Sequence, residues 1–307
     1  MTASDSKQVA RGFDLEAPST TSRPSLHPAR LSDTNNFNNH TEFSFQQRYQ
    51  LGRVIGCGAF STVRLATDRA TGKEWACKTV TEQSERPLLL REVDILQQLD
   101  HPNLLQYHEH FDTPENLYII TELLEGSDLL SASLVRGSYS EDDAREIIRQ
   151  MLSALAYLNS KDVAHRDIKM ENVMLVAQAG STAQVKIIDF GLADQLSQEK
   201  PFFLDACGTP IYLAPEVASR TPYGTSCDVW AAGVVLFMML SGDSPFQGDS
   251  LSTLLETIRL AQVRFDDPVW ELTSSQAKEL LKALLTADPA DRSTAEDALA
   301  HPWLADE

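Results

Sequence analysis

The chain predicts an α+β fold, β-rich in its first ordered part and mainly helical after it, and three observations carry that reading. Short β-type runs lead from Leu51, Val54 and Ile55 through residues 62–67 to 74–80, with the turn-forming stretch Asp68-Arg69-Ala70-Thr71-Gly72 between the last two. This is the pattern of an antiparallel meander. Residues 87–99 carry Leu89, Val93 and Leu96 at helical spacing,. Beyond residue 140, Ala144, Ile147, Ile148, Met151, Leu152 and Leu155 form an amphipathic stripe, and 229–240 is apolar on every side, as in a helix buried inside a large domain,.

The elements follow in order. Residues 1 to about 45 are rich in Ser, Thr, Asn and Pro, include the run Asn35-Asn36-Phe37-Asn38-Asn39 and show no hydrophobic period, so a disordered tail is expected there, with order beginning near Tyr49,. In the helix after the meander, Glu92 lies three residues from Leu89 and four from Leu96 and so shares the apolar face,. A carboxylate held there needs a partner. Between the amphipathic stripe and the apolar helix, 173–176 and 185–188 read as short strands. No internal repeat or Gly/Ser linker divides the ordered part.

Bulk properties exclude several function classes. With 307 residues, 42% hydrophobic and 23% charged, the chain has the profile of a soluble globular protein,. A net charge of −18 opposes nonspecific binding to DNA, RNA or anionic lipid and favours basic partners,. The four cysteines form no C-x-x-C pair or zinc spacing, which fits a reducing compartment,. The first eleven residues lack the apolar core of a signal peptide, and 229–240 is too short for a bilayer span of roughly 20 residues. A cytoplasmic or nuclear protein without a membrane anchor is expected.

The chemistry-bearing residues come in sequence. Gly56-Cys57-Gly58-Ala59-Phe60-Ser61 lies between two strands and suits a hairpin whose N–H groups face phosphates,. A dinucleotide site would require a helix next and a third glycine; here a strand follows and Ser61 stands in that place. Lys78, facing inward, would hold phosphates, with Glu92 to orient it. In His165-Arg166-Asp167-Ile168-Lys169-Met170-Glu171-Asn172, Asp167, Lys169 and Asn172 supply the three groups that phosphoryl transfer to a hydroxyl needs: a carboxylate, a cation and an oxygen ligand for Mg²⁺. Asp189-Phe190-Gly191 adds a second Mg²⁺ ligand at a strand end, and Ala214-Pro215-Glu216 follows downstream. Each run is weak alone, but their order is not accidental.

From about residue 49 to Trp303 the sequence resembles a eukaryotic protein kinase of the Ser/Thr type, in the calmodulin-dependent group that includes the checkpoint-type kinases. The resemblance implies a two-lobed fold over 49–304, with an N-lobe to about 121, a C-lobe from 122, and ATP with Mg²⁺ in the cleft. It implies a nucleotide site of Ile55 and Val63 above the adenine, Ala76 beside it and Met174 beneath it. The hairpin from Gly56 to Thr62 would cover the phosphates, and Glu122 and Leu124 would offer backbone hydrogen bonds just after the gatekeeper Thr121. Lys169 and Thr209 imply Ser/Thr rather than Tyr targets. Asp128 and Glu171 match acidic positions that receive an arginine three residues before the target, although Asp128 also reads as a helix cap beside the ribose. Asp228 would support the catalytic loop, and Arg292 would pair with Glu216.

Some residues depart from the pattern. Ser61 for glycine is common in this group, and Met170 for proline is treated as neutral. Relatives switched on by a partner kinase often carry threonine where this chain has Asp205, and Arg166 marks the kind of kinase whose loop is ordered by negative charge. Asp205 is therefore expected to supply part of that charge permanently, with Ser197 and Thr209 as further modification candidates. Cys207 reads as packed rather than redox-active. No basic amphipathic segment follows Trp303, so calmodulin control is not predicted, and nothing bears on oligomeric state. A binding-only pseudokinase would lack Lys78, Asp167, Asn172 or Asp189, whereas all four are present. A small-molecule phosphotransferase would lack the D-F-G to A-P-E segment.

Overall fold

The computed structural model describes residues 42–57, 61–80, 86–176 and 184–305. Helix α1 (Glu42–Arg48) leads into strands β1 (Tyr49–Cys57), β2 (Thr62–Asp68) and β3 (Glu74–Val80), followed by helix α2 (Arg86–Leu96), β4 (Tyr107–Asp112) and β5 (Leu117–Thr121). The five strands make one antiparallel sheet in the order β1-β2-β3-β5-β4. Next come β6 (Gly126–Asp128), α3 (Leu129–Arg136), α4 (Glu141–Ser160), β7 (Val163–Ala164), β8 (Val173–Val176), β9 (Gln184–Ile187) and β10 (Asp194–Gln195). Strands β6, β8 and β9 pair in that order, as do β7 and β10. The remainder is helical, with α5 (Pro215–Ala218), α6 (Ser226–Ser241), α7 (Leu251–Leu260), α8 (Ser275–Leu284) and α9 (Ala295–Leu299). The result is a two-lobed α+β architecture.

Strand alternation decides which residues meet the cleft. Ala76 pairs with Leu65 and Thr121, and Lys78 with Val63 and Ile119, so these share one face of the sheet,. Cys77, between them, points to the other face. There it is buried with Ala66, Tyr118 and Ile120 under Phe45 of α1. The Phe45 ring stacks on Tyr118 at 3.9 Å and meets Phe111 edge-on at 5.4 Å,.

Helix α1 comes before Tyr49, where order was expected to begin, and Phe45 within it is only 2% exposed. A seven-residue helix is too short to show a period, and its aromatic partners lie on strands far along the chain.

Helix α2 buries Leu89, Val93 and Leu96 together with Glu92. It stops at Leu96 rather than 99, where Leu99 N–H donates to Leu96 O at 3.2 Å. Pro102 further disfavours helical backbone at His101. Helix α4 is capped by Ser140, whose side chain accepts from Asp143 N, and its first turn is Glu141, Asp142 and Asp143, matching the positive end of the helix dipole. Helix α6 is buried all round, with Trp230, Val234, Val235 and Leu236 inaccessible. It ends where Gly242 takes the left-handed φ of 77° and donates to Met238 O,. Among the described residues no helix is long and apolar enough to cross a membrane.

Because Phe45 covers the outer face of the sheet, Phe45→Ala should cost about 3 kcal/mol of stability, read as a lower urea midpoint of unfolding.

Candidate active site

The inward face of β1, β2, β3 and β5 and the outer surface of β8 enclose a cleft of about 600 Å³. Ile55, Val63, Ala76, Leu124 and Met174 give it apolar walls, Thr121 and Glu122 close its back, and Gly56, Cys57 and Ser61 line its mouth. Gly58, Ala59 and Phe60 lie outside the described residues.

The polar end of the cleft is built on Lys78. Its Nζ donates to both carboxylate oxygens of Glu92, at 2.8 and 2.7 Å, and to Asp189 Oδ1 at 3.2 Å. Burial opposes the Lys78 ammonium, but Glu92 and Asp189 outweigh it and raise its pKa. Lys78 acts the other way on Asp189, pulling its pKa down to about 2 against burial, so this carboxylate stays ionised at physiological pH,. Lys78 is the partner that the Glu92 carboxylate, on an apolar helix face, demands,.

Asp167, outside the cleft lining but bonded to Asn172 within it, is held from three directions. Lys169 Nζ donates to Oδ2 at 2.6 Å, while Thr209 donates to Oδ1 through its hydroxyl at 2.8 Å and its N–H at 3.1 Å. Asn172 Nδ2 donates to Asp167 O at 2.9 Å and Oδ2 at 3.2 Å. Lys169 also reaches Thr209 Oγ1 at 3.1 Å. The backbone beneath is gripped by Asp228, which accepts from His165 N at 2.6 Å and Arg166 N at 2.9 Å. Burial raises the Asp228 pKa, opposed by His165 and by these two N–H groups. His165 Nε2 donates to Ile188 O at 3.0 Å, and its Nδ1 accepts from Asp167 N, so one tautomer serves both contacts,.

The segment between Asp189 and Glu216 closes over this loop. Arg166 Nη1 meets both oxygens of Asp205 at 3.0 Å, and Tyr223 OH donates to Asp205 O at 2.8 Å. Gly208, at φ 110°, passes so near that a Cβ would lie 2.6 Å from Arg166 O, so only glycine fits,. Arg292 meets Glu216 with two parallel bonds of 2.7 and 2.8 Å, both groups buried,. Burial pushes the Cys207 thiol pKa up against the pull of Arg166, which makes it a poor nucleophile,.

A protein kinase domain pattern matches residues 49–304. The chain belongs to the protein kinase family. It is 39% identical over 270 residues to serine/threonine-protein kinase 33 of Mus musculus, covering 84% of this chain and 55% of that protein. With serine/threonine-protein kinase DCLK1 of Rattus norvegicus it shares 37% over 266 residues, 85% of this chain and 61% of the relative. A probable myosin light chain kinase of Dictyostelium discoideum is 38% identical over 261 residues, 84% and 82% of the two chains. This kinase chain thus spans little more than half the length of the mouse relative.

Not every residue that the sequence points to joins the cleft. Asp128 pairs with Met174 at the end of β6, and its carboxylate takes Ser131 N at 2.8 Å and Ser131 Oγ at 2.7 Å, capping α3. Neither Asp128 nor Thr62 is part of the cleft lining. Glu171 is exposed beside Tyr212. The Glu122 side chain turns away, accepting from Gln106 N at 2.8 Å and Lys186 Nζ at 2.7 Å. Lys186, Arg91, Asp194 and Lys200 carry no signal in the sequence, because isolated charges acquire partners only through the fold.

Arg292→Ala strands the buried Glu216 carboxylate and should cost about 3–5 kcal/mol, measured by chemical denaturation.

Proposed function

We propose that the chain is an ATP-dependent protein serine/threonine kinase. The observation that carries this is a pair of clusters: Lys78 with Glu92 and Asp189 at the polar end of the cleft, and Asp167 held by Lys169, Thr209 and Asn172, the last of which also lines the cleft. Lys78, already oriented, grips the α and β phosphates of ATP. Asp167 accepts the proton of the target hydroxyl, and Lys169 lies where negative charge gathers on the moving phosphoryl group.

Asn172 and Asp189 fit Mg²⁺. Asp189 keeps its charge, and Asn172, with its amide nitrogen donating to Asp167, is left with a carbonyl oxygen as its metal donor,. Held by these two residues, the ion would supply neutralisation of charge on the phosphates. The contact of Thr209 with Lys169 and Asp167 supports Ser/Thr targets.

Exposed Glu171 supports a preference for arginine three residues before the target, with Asp128 contributing less because Ser131 already engages its carboxylate. Asp205 acts as a permanent clamp on Arg166. It carries about −1 against roughly −1.5 to −2 for a phosphate, and it is 62% exposed, so it closes the segment only in part,.

Purified protein with radiolabelled ATP, Mg²⁺ and a peptide array should label Ser/Thr peptides, most strongly those with arginine at that upstream position; an array indifferent to arginine removes the preference. Asp167→Asn should lower kcat by about 10²–10⁴-fold with binding of ATP retained; an unchanged kcat overturns the assignment. Phosphatase treatment should leave activity intact while Asp205→Ala lowers it about five-fold; the reverse pattern rejects the clamp.

A further inference from the structure

Asp194 is unused by the reading above, yet it stands at a junction. It lies on β10, which pairs with β7 immediately before His165 and Arg166. Its Oδ2 receives Arg91 Nη1 of α2 at 3.2 Å and lies 3.6 Å from Arg166 Nη2, and Lys200 Nζ bonds to the same oxygen. Oδ1 accepts from Gln195 N at 2.9 Å. Burial works against this charge, but Lys200, the Gln195 N–H and Arg166 hold its pKa below the ordinary range, so it is ionised.

The charges alternate in sign along one line. Arg91 meets Asp194, Asp194 meets Arg166, and Arg166 meets Asp205. At one end is helix α2, whose next residue, Glu92, holds Lys78. At the other is the segment that closes on Asp167. Asp194 therefore joins the element that positions the phosphates to the element that positions the catalytic carboxylate. The Arg91 side chain is half exposed, so its bond to Asp194 biases the position of α2 rather than locking it,.

We propose that Asp194 is a positioning residue for phosphoryl transfer, coupling α2 through Arg91 to Arg166 and the closed segment. The inference rests on the kinase reading for its kinetic consequence, while the coupling itself is a property of the fold. Loss of the arm frees α2, so the Lys78–Glu92 pair spends less time in place and ATP is held less well.

The experiment uses the full chain with Arg91→Gln, Arg91→Lys, Asp194→Asn and the double variant Arg91→Gln/Asp194→Asn. Arg91→Gln should lower kcat/KM for ATP about three-fold and Asp194→Asn about ten-fold, with KM for the peptide moved less. Arg91→Lys should recover most of the loss, and the double variant should be no worse than Asp194→Asn alone. Hydrogen exchange in residues 86–96 should quicken in Arg91→Gln and recover in Arg91→Lys, a readout that needs no phosphoryl transfer. Inactive wild-type protein with these exchange changes sinks the kinase reading and keeps the coupling. Unchanged kcat/KM and exchange, a fall in melting temperature alone, or single effects that multiply in the double variant overturns the proposal. Asp205→Ala, run alongside, reports on the clamp separately.

Discussion

The grip of Asp228 on two consecutive backbone N–H groups is the contact on which the rest of the site depends. It is a carboxylate taken out of water, and such a group persists only when its oxygens are satisfied. His165 N and Arg166 N satisfy them at 2.6 and 2.9 Å. In return the carboxylate supports Arg166 at a φ of 66°, a left-handed value uncommon for a residue with a side chain,. Beyond that twist the Arg166 guanidinium meets Asp205, and the Asp167 carboxylate meets Lys169, Thr209 and Asn172. Helix α6, apolar on every other side, is what keeps Asp228 dry.

Buried charge elsewhere follows the same logic with different consequences. Glu92 sits within the apolar stripe of α2 because Lys78 meets it, and this pair sets the relation of a helix to a sheet. Glu216 and Arg292 sit deeper, and Arg292 also donates to the carbonyls of Thr286, Ser226 and Ala287. A pair of that kind adds little net stability over well-packed apolar residues, but it fixes orientation. One pair sets a helix against a sheet; the other fastens the end of a segment.

How much of this is legible in the sequence depends on whether the signal is local. The meander is legible because alternation and the turn at 68–72 occur within a few residues, and helix α6 because apolar residues crowd every side. Glu92 is legible as a charge out of place on an apolar face, which demands a partner. Helix α1 is not, since the burial of Phe45 depends on Phe111 and Tyr118 far along the chain. The junction at Asp194 is hidden for the same reason: Arg91 and Asp194 are 103 residues apart, and neither belongs to a pattern. Asp128 is legible in both of its senses, as cap and as acidic site, and the fold shows the cap.

The anchoring of the segment between Asp189 and Glu216 bears on its entropy. Strand β10 fixes one end, the backbone exchange between Phe203 and Tyr223 fixes a point beyond it, and Arg292 fastens Glu216. Between those points Leu196 N–H donates to Asp162 O and Ser197 and Lys200 bond each other's backbone, so few residues lack a tie, and ordering a residue costs roughly 1–2 kcal/mol,. With so little freedom left to surrender, a single solvent-facing ion pair can tilt the balance between an ordered and a wandering segment, where a long untethered loop would demand far more.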